Sequence, residues 1–331
     1  MKQITWHGGT NFTVDHVDNL LPPDGWVLVK IDTVGVCGTD VHITQGLFPA
    51  TPPSVLGHEA SGIIEDVGKG VKKNRIGDRV ALNITSSCGK CEHCLNWTIS
   101  RCKYSQNSTP FFAEYSIVPQ MSAVKIPNEL NLEIACMTEP ASCCLSGVNM
   151  LSTNEASTAI VIGGGIMGQF CVGFLKQRGI PNIILSEPVK SRREIAVDMG
   201  ANILHNPNDS KIEDFVIENT LGNGADIAIE AVGNPDLVAK CIEIVKPKGQ
   251  VLMIGVSPDR SHLPVNLYEM HYREIVLKGS FGRGEVFSET PNLLTQLNLD
   301  RMISGRYELN EVKKAIADSA EGKGIKLVVK P

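Results

Sequence analysis

The chain has 331 residues, 42% of them hydrophobic and 20% charged, with a formal net charge of −5. That balance excludes a disordered chain, and the lack of any long basic run excludes a nucleic-acid or anionic-membrane surface as the main partner. The length suggests about two domains. The first residues, Met-Lys-Gln-Ile-Thr-Trp, contain no apolar segment of the kind a signal peptide needs, so a cytoplasmic location is expected. The ten cysteines fit that setting as thiols or metal ligands rather than as a disulfide framework.

Residues 1 to about 130 carry short runs rich in Val and Ile, with strands predicted over 27–33, 62–67 and 79–83. Turn residues punctuate them: Pro22-Pro23-Asp24-Gly25, Pro52-Pro53 and Gly77-Asp78. The pattern predicts a compact, mostly antiparallel β domain. Within it lie Cys37-Gly-Thr39-Asp40-Val-His42 and, fifteen residues later, Gly57-His58-Glu59. A soft thiolate, an imidazole and a carboxylate are the donor types of a four-coordinate zinc ion, and three protein donors leave the open position of a catalytic site.

Cys88, Cys91, Cys94 and Cys102 follow with spacings of x2, x2 and x7. Four thiolates on one short loop close a tetrahedron, which describes a structural zinc site. An iron–sulfur cluster uses a similar run, but the trailing Cys-Pro is missing. A nucleic-acid finger needs more positive charge than Lys90, Arg101 and Lys103 supply.

The texture changes near Cys144. Strands are predicted over 159–162, 182–186, 201–204, 225–230, 250–254 and 274–278, with helices such as 167–178 and 235–245 between the first five. Six strands with crossovers predict a doubly wound parallel sheet. Residues 157–175 have no charge and so mimic a membrane span, but five of them are glycine, which suits a strand-to-helix turn instead.

That turn is Gly163-Gly-Gly165-Ile166-Met167-Gly168, a G-x-G-x-x-G between a β-branched strand and an apolar helix. Gly163 permits the tight turn, Gly165 lets backbone approach a pyrophosphate, and Gly168 lets helix and strand pack closely. Ile166, Met167 and, further on, Val232 are assigned to the same cofactor site. Glu187 stands where an acidic residue binds the adenosine ribose hydroxyls, so NAD is expected rather than NADP; Arg192 and Arg193, close behind, could instead accept a phosphate. Beyond residue 281 the pattern breaks up, with one amphipathic helix over 310–319 and a last strand over 326–329 that is expected to return to the first domain.

In this order the motifs resemble the zinc-dependent medium-chain dehydrogenase/reductase family. The likeness is greatest to its polyol branch, which includes sorbitol (L-iditol) dehydrogenase. The finer match lies in Glu139-Pro140-Ala-Ser-Cys, Ser186-Glu187-Pro188 with Arg192-Arg193, and His271-Tyr-Arg-Glu274 before Lys278-Gly279-Ser280-Phe281. The resemblance implies a GroES-like zinc domain over 1–144 and 282–331, and an NAD-binding Rossmann domain over 145–281. It implies two zinc ions per chain and hydride transfer between a secondary alcohol or polyol and NAD.

It further implies that Cys37 and His58 bind the catalytic zinc, with Glu59 or Glu139 as a further ligand. Asp40 would accept from the His58 ring, Thr39 would take the alcohol proton, and His42 would pass it outward through the nicotinamide ribose. In the family the strand at 274–279 pairs with its copy, so a homodimer or homotetramer is implied. The threonine-dehydrogenase branch is disfavoured by Ile43-Thr-Gln-Gly-Leu47, where that branch carries an aromatic and acidic run.

Three departures stand out: Leu95-Asn-Trp-Thr-Ile-Ser-Arg101 where relatives carry a glycine, Pro110-Phe111-Phe112 where a glycine is usual, and Ile43 where polyol enzymes often have tyrosine. The alternatives are a butanediol-type or amino-cyclitol dehydrogenase of the same zinc chemistry, or a non-catalytic NAD-binding protein.

Overall fold

A computed structural model describes residues 1–96, 101–282 and 286–331. The chain forms two compact units, Met1–Ser142 with Gly284–Pro331, and Cys143–Arg283.

The first unit is built on a seven-stranded sheet. Ala123–Lys125, Arg79–Asn83, Glu59–Val67, Trp26–Gly35, Lys326–Lys330 and Ile303–Glu308 lie in that order, and Tyr115–Pro119 also pairs with Trp26–Gly35. Every pairing is antiparallel except that of Ile303–Glu308 with Lys326–Lys330. Alternation in Trp26–Gly35 buries Val27, Val29 and Ile31 on one face, where they meet Ile64, Val80, Leu82 and the rings of Phe111 and Phe112. At the end of this strand Gly35 faces Glu59. A β-carbon at Gly35 would lie 2.3 Å from the Glu59 carboxylate, so glycine there leaves the acid its place.

The second unit holds a six-stranded sheet in the order Ile203–His205, Asn182–Ser186, Thr158–Ile162, Ala225–Glu230, Val245–Met253 and Val276–Gly279, parallel throughout. This is the doubly wound order of the sequence expectation. Three strand positions differ from the reading, two of them for a local reason. The strand expected at 201–204 is Ile203–His205, because Gly200 closes the preceding helix at φ 115° and the Asn202 side chain accepts from Ile183 N at 2.8 Å. The strand expected at 274–278 begins at Val276, because Glu274 has φ 50° and cannot extend. The strand expected at 250–254 begins earlier, at Val245.

Residues 157–175 are a strand, Thr158–Ile162, then the glycine turn, then the helix Ile166–Gln177. Among the described residues no helix is long and apolar enough to cross a membrane. The tail helix is Val312–Ala320, entered through the 3-10 turn Leu309–Glu311 that a capping box at Glu308 and Glu311 holds.

Candidate functional site

In the first unit Cys37 is the N-cap of the helix Gly38–Thr44. Its Sγ accepts from Thr39 N at 3.5 Å. The Asp40 carboxylate is 1% exposed and accepts from two backbone groups, Cys37 N at 2.9 Å and Gly57 N at 3.3 Å. One side chain therefore ties the helix start to the turn that presents His58. Asp40 Oδ1 lies 3.7 Å from His58 Nδ1, an ion-pair approach rather than the hydrogen bond that the resemblance implies.

The donor atoms of Cys37, His58 and Glu59 lie within 4.8 Å of one another. Glu139, in the first turn of the helix Thr138–Val148, is buried and acts electrostatically on His58. Thr39 Oγ1 is 3.6 Å from Cys37 Sγ, and exposed His42 stands one turn further along the same helix.

The electrostatics suit a cation. Burial lowers the pKa of His58, but Cys37, Asp40 and Glu139 offset it and hold the ring well above the ordinary histidine range. Burial raises the Asp40 carboxyl despite the neighbouring imidazole. A partly buried cluster of sulfur, nitrogen and carboxylate donors with excess negative charge fits a zinc ion, with Cys37, His58 and one carboxylate to hold it.

Sequence reasoning missed Lys326. Its ammonium is 1% exposed and donates to Glu59 Oε2 at 2.6 Å and to Val36 O at 2.9 Å. Burial depresses its pKa, but the Glu59 and Cys37 charges override this and raise it. Nothing near Lys326 in the sequence marks it. Its partner is 267 positions away, across a strand pairing that only the fold creates.

The Cys88, Cys91, Cys94 and Cys102 sulfurs form a second cluster. Three of their separations are 3.5, 3.9 and 3.9 Å. Tetrahedral zinc with Zn–S bonds of about 2.3 Å sets sulfurs roughly 3.8 Å apart, so the set fits the ion. Backbone N–H groups point at the sulfurs: Cys91 N at Cys88, and Cys88 N and Tyr104 N at Cys102. Donation from Cys94 N and Lys103 N lowers the Cys91 thiol to about 6, while burial pushes Cys94 up to about 12. All ten cysteines are free of disulfides. Of the segment 95–101, whose lack of glycine departs from the resemblance, residues 97–100 lie outside the described residues.

In the second unit a cavity of about 860 Å³ opens at the ends of the central strands. Gly163, Gly165, Glu187, Arg192 and Val232 line it; Ile166, Met167 and Gly168 stand in the first turn of the adjacent helix and are not among the lining residues. Gly163 has φ 102°, and a β-carbon on Gly168 would lie 1.8 Å from Gly163 O. Gly165 has open space on its β-carbon side, as a turn that a phosphate approaches requires.

Glu187 is buried and accepts from Gly164 N at 2.7 Å and Val189 N at 2.8 Å, so its carboxylate is held in place at the cavity wall. Asn208, Ser210 and Lys211 also line the cavity and were not foreseen, because a loop after a short third strand carries no pattern of its own.

Residues 23–128 match the alcohol dehydrogenase GroES-like domain and residues 167–299 the zinc-binding dehydrogenase domain. D-xylulose reductase A of Aspergillus oryzae is 30% identical over 92% of this chain and 88% of its own. The chain belongs to the zinc-dependent alcohol dehydrogenase family. L-threonine 3-dehydrogenase of Pyrococcus abyssi is likewise 30% identical, over 88% of this chain and 87% of its own. A zinc-binding dehydrogenase of Sinorhizobium meliloti, solved bound to NADP, is 30% identical with a TM-score of 0.94, covering 100% of this chain and 99% of that one. This member of the family is thus a zinc-binding oxidoreductase with the GroES-like and parallel-sheet folds, of a class that uses NAD(P).

Proposed function

We propose that the protein oxidises a secondary alcohol or polyol to the ketone with NAD. The observation that carries this reading is the convergence of Cys37, His58 and Glu59 donor atoms within 4.8 Å beside the Thr39 hydroxyl. Zinc held there would supply Lewis acidity toward an alcohol oxygen, and a bound nicotinamide would supply the hydride acceptor. The residues of this chain do the rest. Cys37, His58 and either Glu59 or Glu139 would hold the metal, and Lys326 keeps Glu59 oriented. The Thr39 hydroxyl takes the alcohol proton and His42, exposed on the same helix, passes it to solvent.

The first unit is assigned the zinc chemistry, the second the dinucleotide. Gly163, Gly165 and Gly168 shape the pyrophosphate turn, with Ile166 and Met167 supplying N–H groups from the helix start. Val232 borders the cofactor, and Glu187 accepts from the ribose hydroxyls, with Arg192 beside it. The carboxylate at the cavity wall supports NAD over NADP. The four cysteines of the lobe hold a structural zinc.

A polyol or other uncharged secondary alcohol is favoured over threonine. Residues 43–48 offer no charged side chain to receive an amino acid. The A. oryzae relative's name describes action on a ketose. The test is reduced-cofactor absorbance with zinc-loaded enzyme against sorbitol, xylitol, galactitol, 2,3-butanediol, inositols, phosphorylated polyols and threonine, each with NAD and NADP. A polyol or diol with NAD is the expected winner; turnover of threonine alone would overturn the substrate class.

A homodimer or homotetramer is assigned on the edge strand Val276–Gly279, which among the described residues pairs on one side only and has exposed Tyr268, Tyr272 and Phe281 in the same unit. Light scattering on the eluting protein reads it directly. A cytoplasmic location fits ten cysteines without a disulfide, and cell fractionation tests it.

A further inference from the structure

Glu230 ends the strand Ala225–Glu230 and is wholly buried. Its Oε1 accepts from three successive backbone groups, Val232 N at 2.8 Å, Gly233 N at 2.7 Å and Asn234 N at 3.3 Å. Its Oε2 is buried with no hydrogen-bond partner. An unpartnered buried carboxylate oxygen is costly, and its retention calls for an explanation.

The surroundings supply one. The turn that Oε1 organises is the cavity wall, since Ala231 and Val232 line it. Val232 also presses on the glycine-rich turn: a β-carbon on Gly163 would lie 2.6 Å from Val232 Cγ2 and 3.2 Å from Ala231 O. Backbone bonds fasten the same point from both sides, with Ala231 N donating to Ile162 O at 2.9 Å, and Ile254 N and Gly255 N donating to Glu230 O at 2.9 and 3.1 Å.

Two glycines make the packing possible. Gly233 has φ 91°, and a β-carbon on it would lie 2.4 Å from Val256 O; one on Gly255 would lie 2.7 Å from Glu230 Oε2. Three strand ends thus meet around one carboxylate, at the C-terminal edge where a parallel sheet binds its ligand. The Asn234 end of the turn then caps the helix Pro235–Ile244, whose Leu237 also lines the cavity.

We propose that Glu230 is a positioning residue for the dinucleotide: its carboxylate holds the turn at residues 231–234 so that Val232 and Gly163 together form the cofactor wall. The inference rests on the dinucleotide reading of this cavity. Neutral acceptors would satisfy the backbone; a carboxylate binds the three N–H groups more strongly and fixes the turn before the ligand arrives.

The test is direct titration of NADH by its fluorescence, which needs no turnover, alongside zinc content, melting temperature and the split of kcat from the cofactor KM. Glu230→Ala is expected to raise the NADH Kd and the cofactor KM about tenfold, with kcat at saturation within roughly threefold. Glu230→Gln keeps one acceptor oxygen and is expected to restore the Kd to within about threefold of the parent. A Glu230→Ala protein that melts lower but binds NADH as tightly as the parent overturns the proposal, leaving Glu230 a stability residue.

Should Glu230→Ala not fold, Glu230→Asp draws the carboxylate back by about 1.5 Å. A weakened Kd then supports the proposal and an unchanged one overturns it. Failure of the parent protein to bind NADH would overturn the dinucleotide reading, and this inference with it.

Discussion

The two clusters of this chain that could hold zinc use overlapping chemistry in opposite ways. The lobe at Cys88, Cys91, Cys94 and Cys102 draws four like donors from fifteen consecutive residues, and only Cys94 is buried. The cluster at Cys37, His58 and Glu59 draws three unlike donors from two segments and adds a buried lysine from the far end of the chain. A closed set of thiolates needs little beyond its own loop. An open site must be held by the surrounding fold, because the metal cannot saturate its donors and so cannot organise them alone.

That contrast is tested most severely at the lobe. Cys91→Ser is expected to remove one zinc per chain and much of its binding energy, which for structural zinc is on the order of 10 kcal/mol. The melting temperature should fall well below that of the parent, with the remaining zinc still bound at low temperature. A variant with unchanged zinc content and stability would break the comparison from this side.

Cys37→Ser is expected to act on chemistry instead. Turnover should fall about a thousandfold or more, with one zinc lost and NADH affinity retained. Equal losses of stability in the two variants would mean that the sites do not divide structure from catalysis.

Third comes the lysine that only the open site has. Lys326→Met leaves Glu59 buried without its partner, and the expected loss is about 3 kcal/mol in urea unfolding. The double variant with Glu59→Gln should recover much of it; no recovery would show that Lys326 acts through packing alone.

Smaller effects sharpen the picture in the second unit. Glu187→Ser should move the NADP-to-NAD preference about tenfold toward NADP, read as a ratio of kcat/KM values. An unmoved ratio would reassign the carboxylate to holding Gly164 N and Val189 N only.

The least effect is expected at His205, which bonds Ser186 Oγ at 2.8 Å and Ser210 O at 3.0 Å. Burial lowers its pKa in the folded protein, so the unfolded chain binds the proton first. Its contribution is fully present above the unfolded pKa of about 6.5 and is lost as pH falls through and below that value. His205→Asn should therefore flatten the fall of melting temperature between pH 7.5 and 5.5. Parallel curves would count against it.

How much of this was legible beforehand follows the same division. The six parallel strands were readable because each is a short apolar run with its own turn, and three of the six begin within one residue of the expected start. The strand at Val276–Gly279 began late because Glu274 adopts a positive φ that no periodicity announces. The four-cysteine cluster and the glycine turn were legible because their geometry is local, a matter of spacing along one segment. Asp40 was assigned to the His58 ring, whereas the structure gives its hydrogen bonds to Cys37 N and Gly57 N.

Lys326 and Glu230 carried no sequence signal at all. A charged residue in a strand reads as solvent-facing until the fold buries it, and burial is a property of what packs on top. The amino-acid sequence by itself determined the donor types, their spacing and the alternation of strands and helices, since these follow from covalent chemistry and side-chain period. Only the tertiary structure decided which distant charges meet. The cost of burying a lysine or a carboxylate depends on partners that strand pairing brings from hundreds of residues away, or that a turn folds back from the next few.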